Sequence, residues 1–296
     1  MKWFPALQLI RPANIITAIS DIIAGIAIAG FLIPEIWNQQ LIIHILLLII
    51  ATIGLYGGGI IFNDIFDIKQ DTVDRPERVI PSGRISIKEA KILGITFFSI
   101  GILSASLVSE FSGFLALVIM FLTLLYDKYS KHNKFIGPLN MGLCRGGNLI
   151  LGMSINGHLE PDYFIIGLIP VIFVAAITLT AQKETKGKNK LAIVTAMFLD
   201  ISVVFGFGLM AYYFNLNLKN TVVFLLIWYV INTVTKVKAI LNNNPILIQK
   251  AVKIAVISLI PLNASYVAGF SSIFMALLVM CLLPLSLYLS KIFPVT

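Results

Sequence analysis

Apolar stretches long enough to cross the hydrocarbon core of a bilayer recur along the whole chain, separated by short polar breaks. They run over 13–33, 41–62, 88–108, 111–126, 138–157, 162–181, 191–214, 220–237, 250–269 and 271–290. The fourth is short, and the last two meet at Gly269 almost without a turn, so the pattern gives about nine spans, or ten. Of the 296 residues 58% are hydrophobic and only 12% charged, against about 25% charged in an ordinary soluble domain. A soluble fold of this size has no means of hiding that much apolar surface, so lipid must cover part of it. The expectation is an all-α, polytopic transmembrane helical bundle, one domain over residues 1–296 and multi-pass. Arg11 and Pro12 precede a long span with no small-residue cleavage pattern, so the first run reads as an anchor and not a cleaved signal.

The formal charge of +8 could suggest nucleic acid, but its placement argues otherwise. Lys2, Arg11, Lys69, Arg75, Arg78, Arg84, Lys88 and Lys91 fall before the first span or between the second and third. Further lysines follow spans four, six and eight, and the other side holds essentially Lys219 alone. This is the positive-inside bias, which puts the N-terminus in the cytosol. The charge belongs to topology, with no nucleic-acid partner. Cys144 and Cys281 sit in apolar stretches without metal-ligand spacing and read as packing residues.

The most informative segment follows Gly57–Gly59, which offer close helix approach or backbone freedom. Asp64, Asp67 and Asp71 are spaced by three and four residues, flanked by Asn63 and Asp74. If the second span continues as a helix, these carboxylates share one face, where they repel unless a cation joins them. Hard oxygen ligands of this kind suit Mg²⁺, which takes the rest of its shell from water and phosphate. Solvated acids at a helix end are the plainer alternative. Next, Pro76 and Pro81 stop helical structure, Ser82-Gly83 makes a turn, and Ser86 with Glu89 has the form of a capping box. Arg75, Arg78 and Arg84 can donate paired hydrogen bonds to phosphate oxygens, or serve as interfacial anchors.

Other loops add candidates. Asp127 is a further anion or metal group, and Lys128, Lys131 and Lys134 either meet a phosphate or set topology. Asn140, Arg145 and Asn148 lie where a bilayer helix should be apolar. Arg145 must pair with a carboxylate or phosphate, either Asp127 or the Asp64 group, or contact substrate. Asp200, in the seventh span, pairs with a lysine such as Lys190 or lines the cavity.

With these residues in place, the chain resembles the UbiA family of intramembrane prenyltransferases. Asn63, Asp64, Asp67 and Asp71 meet the family's Asn-Asp-x-x-Asp-x-x-x-Asp signature, and Arg78 to Arg84 its Arg-Pro-Leu-Pro-Ser-Gly-Arg segment. Tyr56–Gly59, Leu125–Tyr129 and Asn140–Gly146 look most like the EboC-like subgroup. The resemblance implies a central cavity and Mg²⁺-dependent transfer of a prenyl group from a prenyl diphosphate to a hydrophobic or aromatic acceptor, among membrane lipids. It implies that Asp64, Asp67 and Asp71 hold Mg²⁺ with Asn63 orienting them, and that Asp127 and Glu184 are possible further ligands. Arg75, Arg78, Arg84, Lys128, Arg145, Lys183, Asn140 and Asn148 are the implied diphosphate contacts. The family's second aspartate-rich motif is absent: its place reads Gln182-Lys183-Glu184-Thr185-Lys186-Gly187-Lys188. That departure keeps a non-catalytic lipid or metabolite carrier on the same scaffold as the alternative.

Overall fold

The computed structural model describes residues 3–182, 187 and 189–293. Every α-helical or other regular element among them is helical, with no strand. In chain order the α-helices are α1 (Trp3–Ile10), α2 (Pro12–Ile28), α3 (Gln39–Phe66), α4 (Ile68–Asp74), α5 (Ile87–Val108), α6 (Glu110–Lys128) and α7 (Ile136–Met153). They continue with α8 (Leu168–Ala181), α9 (Lys190–Tyr213), α10 (Leu218–Leu241), α11 (Pro245–Ile257), α12 (Leu259–Phe270), α13 (Ile273–Met280) and α14 (Leu282–Ile292).

Each of the ten expected spans falls on helix. Among the described residues eight helical segments are long and apolar enough to cross a membrane, and the pair α1–α2, bent by 52°, makes nine. The α7 helix falls short of that test because its 18 residues include Asn140, Arg145 and Asn148. Two of the spans are broken internally, for one reason. Pro261 lies four residues after Ile257, where α11 ends, and Pro284 four after Met280, where α13 ends. A proline ring clashes with the carbonyl four residues back and offers it no N–H.

Neighbouring helices pack around α2, which touches α3, α7, α12 and α14, while α7 continues the contacts to α6 and α8. Small residues set the closest approaches. A Cβ on Gly54 of α3 would fall 2.5 Å from the Phe97 carbonyl oxygen of α5, and one on Gly101 would fall 2.9 Å from the Ala51 carbonyl. Gly25 of α2 and Gly152 of α7 face each other's backbones in the same way. Gly57–Gly59 lie within unbroken helix against Phe97, Phe98 and Thr123, so their use is close approach. On the outside, Ile95, Leu103, Phe121, Phe198, Phe205 and Phe274 are exposed, an apolar girdle that lipid satisfies. The protein is a multi-pass integral membrane protein.

The ends of the bundle place the acidic segment. With 28 residues, α3 is about 42 Å long at 1.5 Å per residue, more than a hydrocarbon core of ~30 Å. Its last turn therefore reaches past the apolar zone. Ala6 and Leu9 of α1 pack with Ile61, Val79, Ile80, Ile85 and Ala90, which seats the 75–86 loop against the end of α3. The expected capping box is present, with the Ser86 side chain accepting from the Glu89 N–H and the Glu89 carboxylate accepting from the Ser86 N–H.

Candidate active site

A partly open cavity of about 300 Å³ runs between α2, α3, α6, α7, α8 and the α11–α12 junction. Leu55, Ile60, Ile119, Met141, Val174 and Ile177 make its walls apolar. Arg11, Asn63, Tyr126 and Asp127 line one end, while Thr52, Arg145 and Asn148 also line it, further back along α3 and α7. A second, polar pocket of about 550 Å³ abuts the first, lined by Gln8, Arg11, Asp64, Arg75, Arg78 and Arg84 among others. Consecutive residues of α3 thus look into different spaces, Asn63 into the apolar cavity and Asp64 into the polar pocket. Arg11 borders both.

The acidic segment is not one uninterrupted helix. Asp67 is a single non-helical residue between α3 and α4, although its N–H still reaches the Asn63 carbonyl at 3.0 Å and its own carbonyl accepts from the Asp71 N–H at 2.8 Å. Asp64 and Asp71, two turns apart, therefore remain on one side, and Arg78 sits between them. Its Nη1 is 2.8 Å from Asp71 Oδ2 and 3.6 Å from Asp64 Oδ1. Arg11 Nη2 donates to the same Asp64 oxygen at 2.6 Å. Asp67 turns the other way and pairs with Lys131. In the orientation its neighbours require, the Asn63 amide nitrogen donates to Asp127 Oδ1 at 3.0 Å and Asp67 Oδ2 at 3.3 Å. Asn63, Asp64, Asp67, Asp71, Arg78 and Asp127 thus gather at one end of the bundle. Burial without compensation would be costly for each of these acids, and the three cations supply that compensation.

Deeper in the cavity lies a different network. Arg145 Nε is 2.5 Å from Asp21 Oδ2, and its Nη2 donates to Thr17 Oγ1 at 2.9 Å. Asn148 Nδ2 donates to Asp21 Oδ2 and to the Ala18 carbonyl, both at 3.0 Å, and its Oδ1 accepts from Thr52 Oγ1 at 2.7 Å. Asn263 Nδ2 donates to Asp21 Oδ1 at 2.7 Å. The carboxylate partner of Arg145 is therefore Asp21, and neither Asp127 nor the Asp64 group. The close approach of α2 to α7 at Gly25 and Gly152, one turn away, makes that pairing possible.

The remaining candidates are scattered. Arg84 borders the polar pocket, but its guanidinium is engaged by Ser82 Oγ, Gln8 Oε1 and the Glu77 carbonyl. Arg75 lines the same pocket. Lys128 is exposed and lies over the Tyr129 ring, 5.0 Å from its centroid; Lys131, three residues on, reaches the acids instead. Asn140 hydrogen-bonds Ser130 at 3.0 Å and fixes the α6–α7 connection. Lys183 and Glu184 lie outside the described residues. Asp200 meets neither Lys190 nor the cavity: its Oδ2 accepts from Lys236 Nζ at 2.6 Å, between α9 and α10. Cys144 lines the cavity and accepts from Thr123, whereas Cys281 is exposed at the α13–α14 break and does not pack inside. Sequence reasoning missed Arg11 as part of the site and did not notice Asp21. The usable signals were an arginine immediately before Pro12 at a helix break, and a lone acid inside the first apolar run.

Acids and arginines gathered at one end of an apolar chamber within an all-helical membrane bundle define the class of protein as an intramembrane bundle with a polar-ended cavity. The chain belongs to the UbiA prenyltransferase family, whose profile matches residues 21–241. A digeranylgeranylglyceryl phosphate synthase of Methanosarcina mazei is 33% identical over 187 residues, 61% of this chain and 63% of that protein. A synthase of the same name from Sulfurisphaera tokodaii is 30% identical over 175 residues, 59% of this chain and 60% of that one. The chain spans about three-fifths of the length of these curated relatives. Among solved structures, the apo UbiA homolog from Aeropyrum pernix K1 superposes with a TM-score of 0.70 at 15% identity, covering 90% of this chain and 98% of that one. A UbiA homolog from Archaeoglobus fulgidus bound to DMAPP and Mg²⁺ gives 0.62 at 16%, covering 89% and 99%. At such identities the likeness is one of fold.

Proposed function

We propose that the protein transfers a prenyl group from a prenyl diphosphate to a hydrophobic acceptor, with the diphosphate held by Mg²⁺ at the Asp64 end of the cavity. The observation that carries this is the junction at Asn63 and Asp64, where a charged, arginine-lined pocket abuts an apolar chamber of about 300 Å³. An isoprenyl diphosphate has the same division. Mg²⁺ suits the donors on offer, which are all hard oxygens, and Asp127 Oδ2 is buried without a hydrogen-bond partner in the structure. Among the described residues no three acids or other ligands are gathered into a ready ion site. Asp64, Asp67 and Asp71 would hold the metal in place of Arg11, Arg78 or Lys131.

Bound there, Mg²⁺ would neutralise the diphosphate and stabilise it as a leaving group. Arg75 and Arg78, which line the polar pocket, would take the phosphate oxygens as charge-assisted hydrogen bonds. Asn63 orients Asp67 and Asp127 by donating to both. Tyr126 lines the cavity beside Asp127 and offers a ring face to positive charge developing on the prenyl carbon. The Mg²⁺ and DMAPP of the Archaeoglobus fulgidus homolog support the donor side of this reading. The names of the curated relatives support a phosphate-bearing lipid among the acceptors to try. The run of Lys and Arg on one side supports a cytosol-facing mouth and a cytosolic N-terminus, with a bacterial plasma membrane as the setting.

The test uses purified protein, Mg²⁺, radiolabelled DMAPP and geranyl diphosphate, and a lipid extract as the source of acceptors. Labelled lipid that forms with the intact protein and vanishes in Asp64→Ala and Asp67→Ala supports transfer. The lack of a second aspartate-rich motif favours one other reading, a lipid or metabolite carrier. Mg²⁺-dependent binding without turnover across the extract would select it.

A further inference from the structure

We infer that the deep end of the cavity, built on Arg145, is a docking subsite for an uncharged oxygen, a hydroxyl or carbonyl, on the acceptor. This rests on the transferase reading only for what the bound molecule is used for; the binding itself stands apart. The starting point is the donor count of one side chain. A guanidinium carries five N–H groups. Nη2 of Arg145 donates to Thr17, and Nε faces Asp21 as an ion pair without hydrogen-bond geometry, while Nη1 is buried and has neither a hydrogen bond nor an ion-pair partner. Arg145 is only 4% exposed, and it lines the cavity. Buried donors in folded proteins are almost always met by an acceptor, and here the side chain that carries the unmet donor lines the cavity.

Charge decides what kind of acceptor fits. Asp21 already cancels the guanidinium, and its two oxygens are filled by Arg145, Asn148 and Asn263. A phosphate or carboxylate brought to Nη1 would gain from Arg145 and lose to Asp21, while surrendering its own hydration in an apolar chamber. A neutral oxygen gives up far less and still satisfies the donor. The diphosphate is also too far away. Tyr56, whose ring lies 5.3 Å from the Arg145 guanidinium carbon, precedes Asn63 by seven residues on α3, about 10 Å along the axis. The two polar ends are thus separated by an apolar stretch walled by Leu55, Ile119 and Val174. A site that presents a fixed donor to a hydroxyl discriminates strongly against the same molecule without it.

Three probes of one shape test this on the full-length protein in detergent without Mg²⁺: naphthalene, 2-naphthol and 2-naphthoate, followed by equilibrium dialysis. The expected result is that 2-naphthol binds at least tenfold more tightly than naphthalene, with 2-naphthoate no tighter than 2-naphthol. Arg145→Lys, which keeps the charge beside Asp21 but removes the second arm of the fork, should cost 2-naphthol at least tenfold and leave naphthalene unchanged. Asp64→Asn should alter neither probe, so a protein that fails to turn over prenyl diphosphates can still pass this test. Should Arg145→Lys fail to fold, the comparison in the unsubstituted protein decides alone. Equal binding of naphthalene and 2-naphthol overturns the proposal, as does tightest binding of 2-naphthoate.

Discussion

At the mouth of the cavity Asp64, Asp67 and Asp71 share three cations, whereas between α9 and α10 Asp200 holds Lys236 alone. The chemistry is the same and the surroundings are not. Side chains in the mouth pairs are 8–21% exposed, Arg11, Asp64 and Arg78 border the polar pocket, and Arg11 and Arg78 both reach one Asp64 oxygen. The Asp200–Lys236 pair is at most 1% exposed and lines neither cavity. At Asp64 one partner can leave with another cation still in place, and water or a ligand can replace it. Between α9 and α10 no replacement is at hand. An acid held among interchangeable cations is equipped to change partners, while a dry one-to-one pair can only hold its helices together.

Breaking the dry pair should give the largest effect. Lys236→Met leaves the Asp200 carboxylate in a dry interior and should cost about 3–5 kcal/mol, seen as a marked fall in thermal unfolding temperature in detergent. Adding Asp200→Leu should restore most of it; an unchanged melting curve for the single variant would erase the contrast. At the mouth, Asp64→Asn should reduce prenyl transfer at least a hundredfold, about 2.7 kcal/mol of barrier, with unfolding close to that of the unsubstituted protein. Loss of stability on the scale of Lys236→Met would mean that the mouth pairs are structural too. Lys131→Met removes one shared cation and should slow transfer about tenfold, roughly 1.4 kcal/mol, measured as initial rate at saturating Mg²⁺. Ser86→Ala removes the α5 cap, away from both pairs, and should cost only about 1 kcal/mol of stability with transfer rate intact.

Local pattern explains what could be read in advance. The spans follow from runs of apolar residues, the Ser86–Glu89 cap from a four-residue motif, and the side shared by Asp64 and Asp71 from helical spacing, whereas Asp67, expected on that same face, turns away to Lys131. Which cation meets which acid was not legible, because those pairings join residues far apart in the chain. Arg145 finds Asp21 across 124 positions and Asp200 finds Lys236 across 36. Lysine spacing could not rank Lys131 above Lys128 either. The short turn after α6 (a 3-10 segment over Ser130–His132) rotates the side chains by an amount that no periodicity encodes. The pause at Asp67 was hidden for the same reason, since its backbone hydrogen bonds continue through it.

Arg11 carries a consequence for the fate of the reacting carbon. It adopts a left-handed backbone (φ 49°) at the bend between α1 and α2, and its side chain is a bulkhead between the wet arginine-lined pocket and the greasy chamber. A carbocation is captured by the nearest nucleophile, and water is the most abundant one. On the proposed transferase reading, whether a prenylated product or merely an isoprenoid alcohol forms then turns on how well that one guanidinium keeps the wet side out.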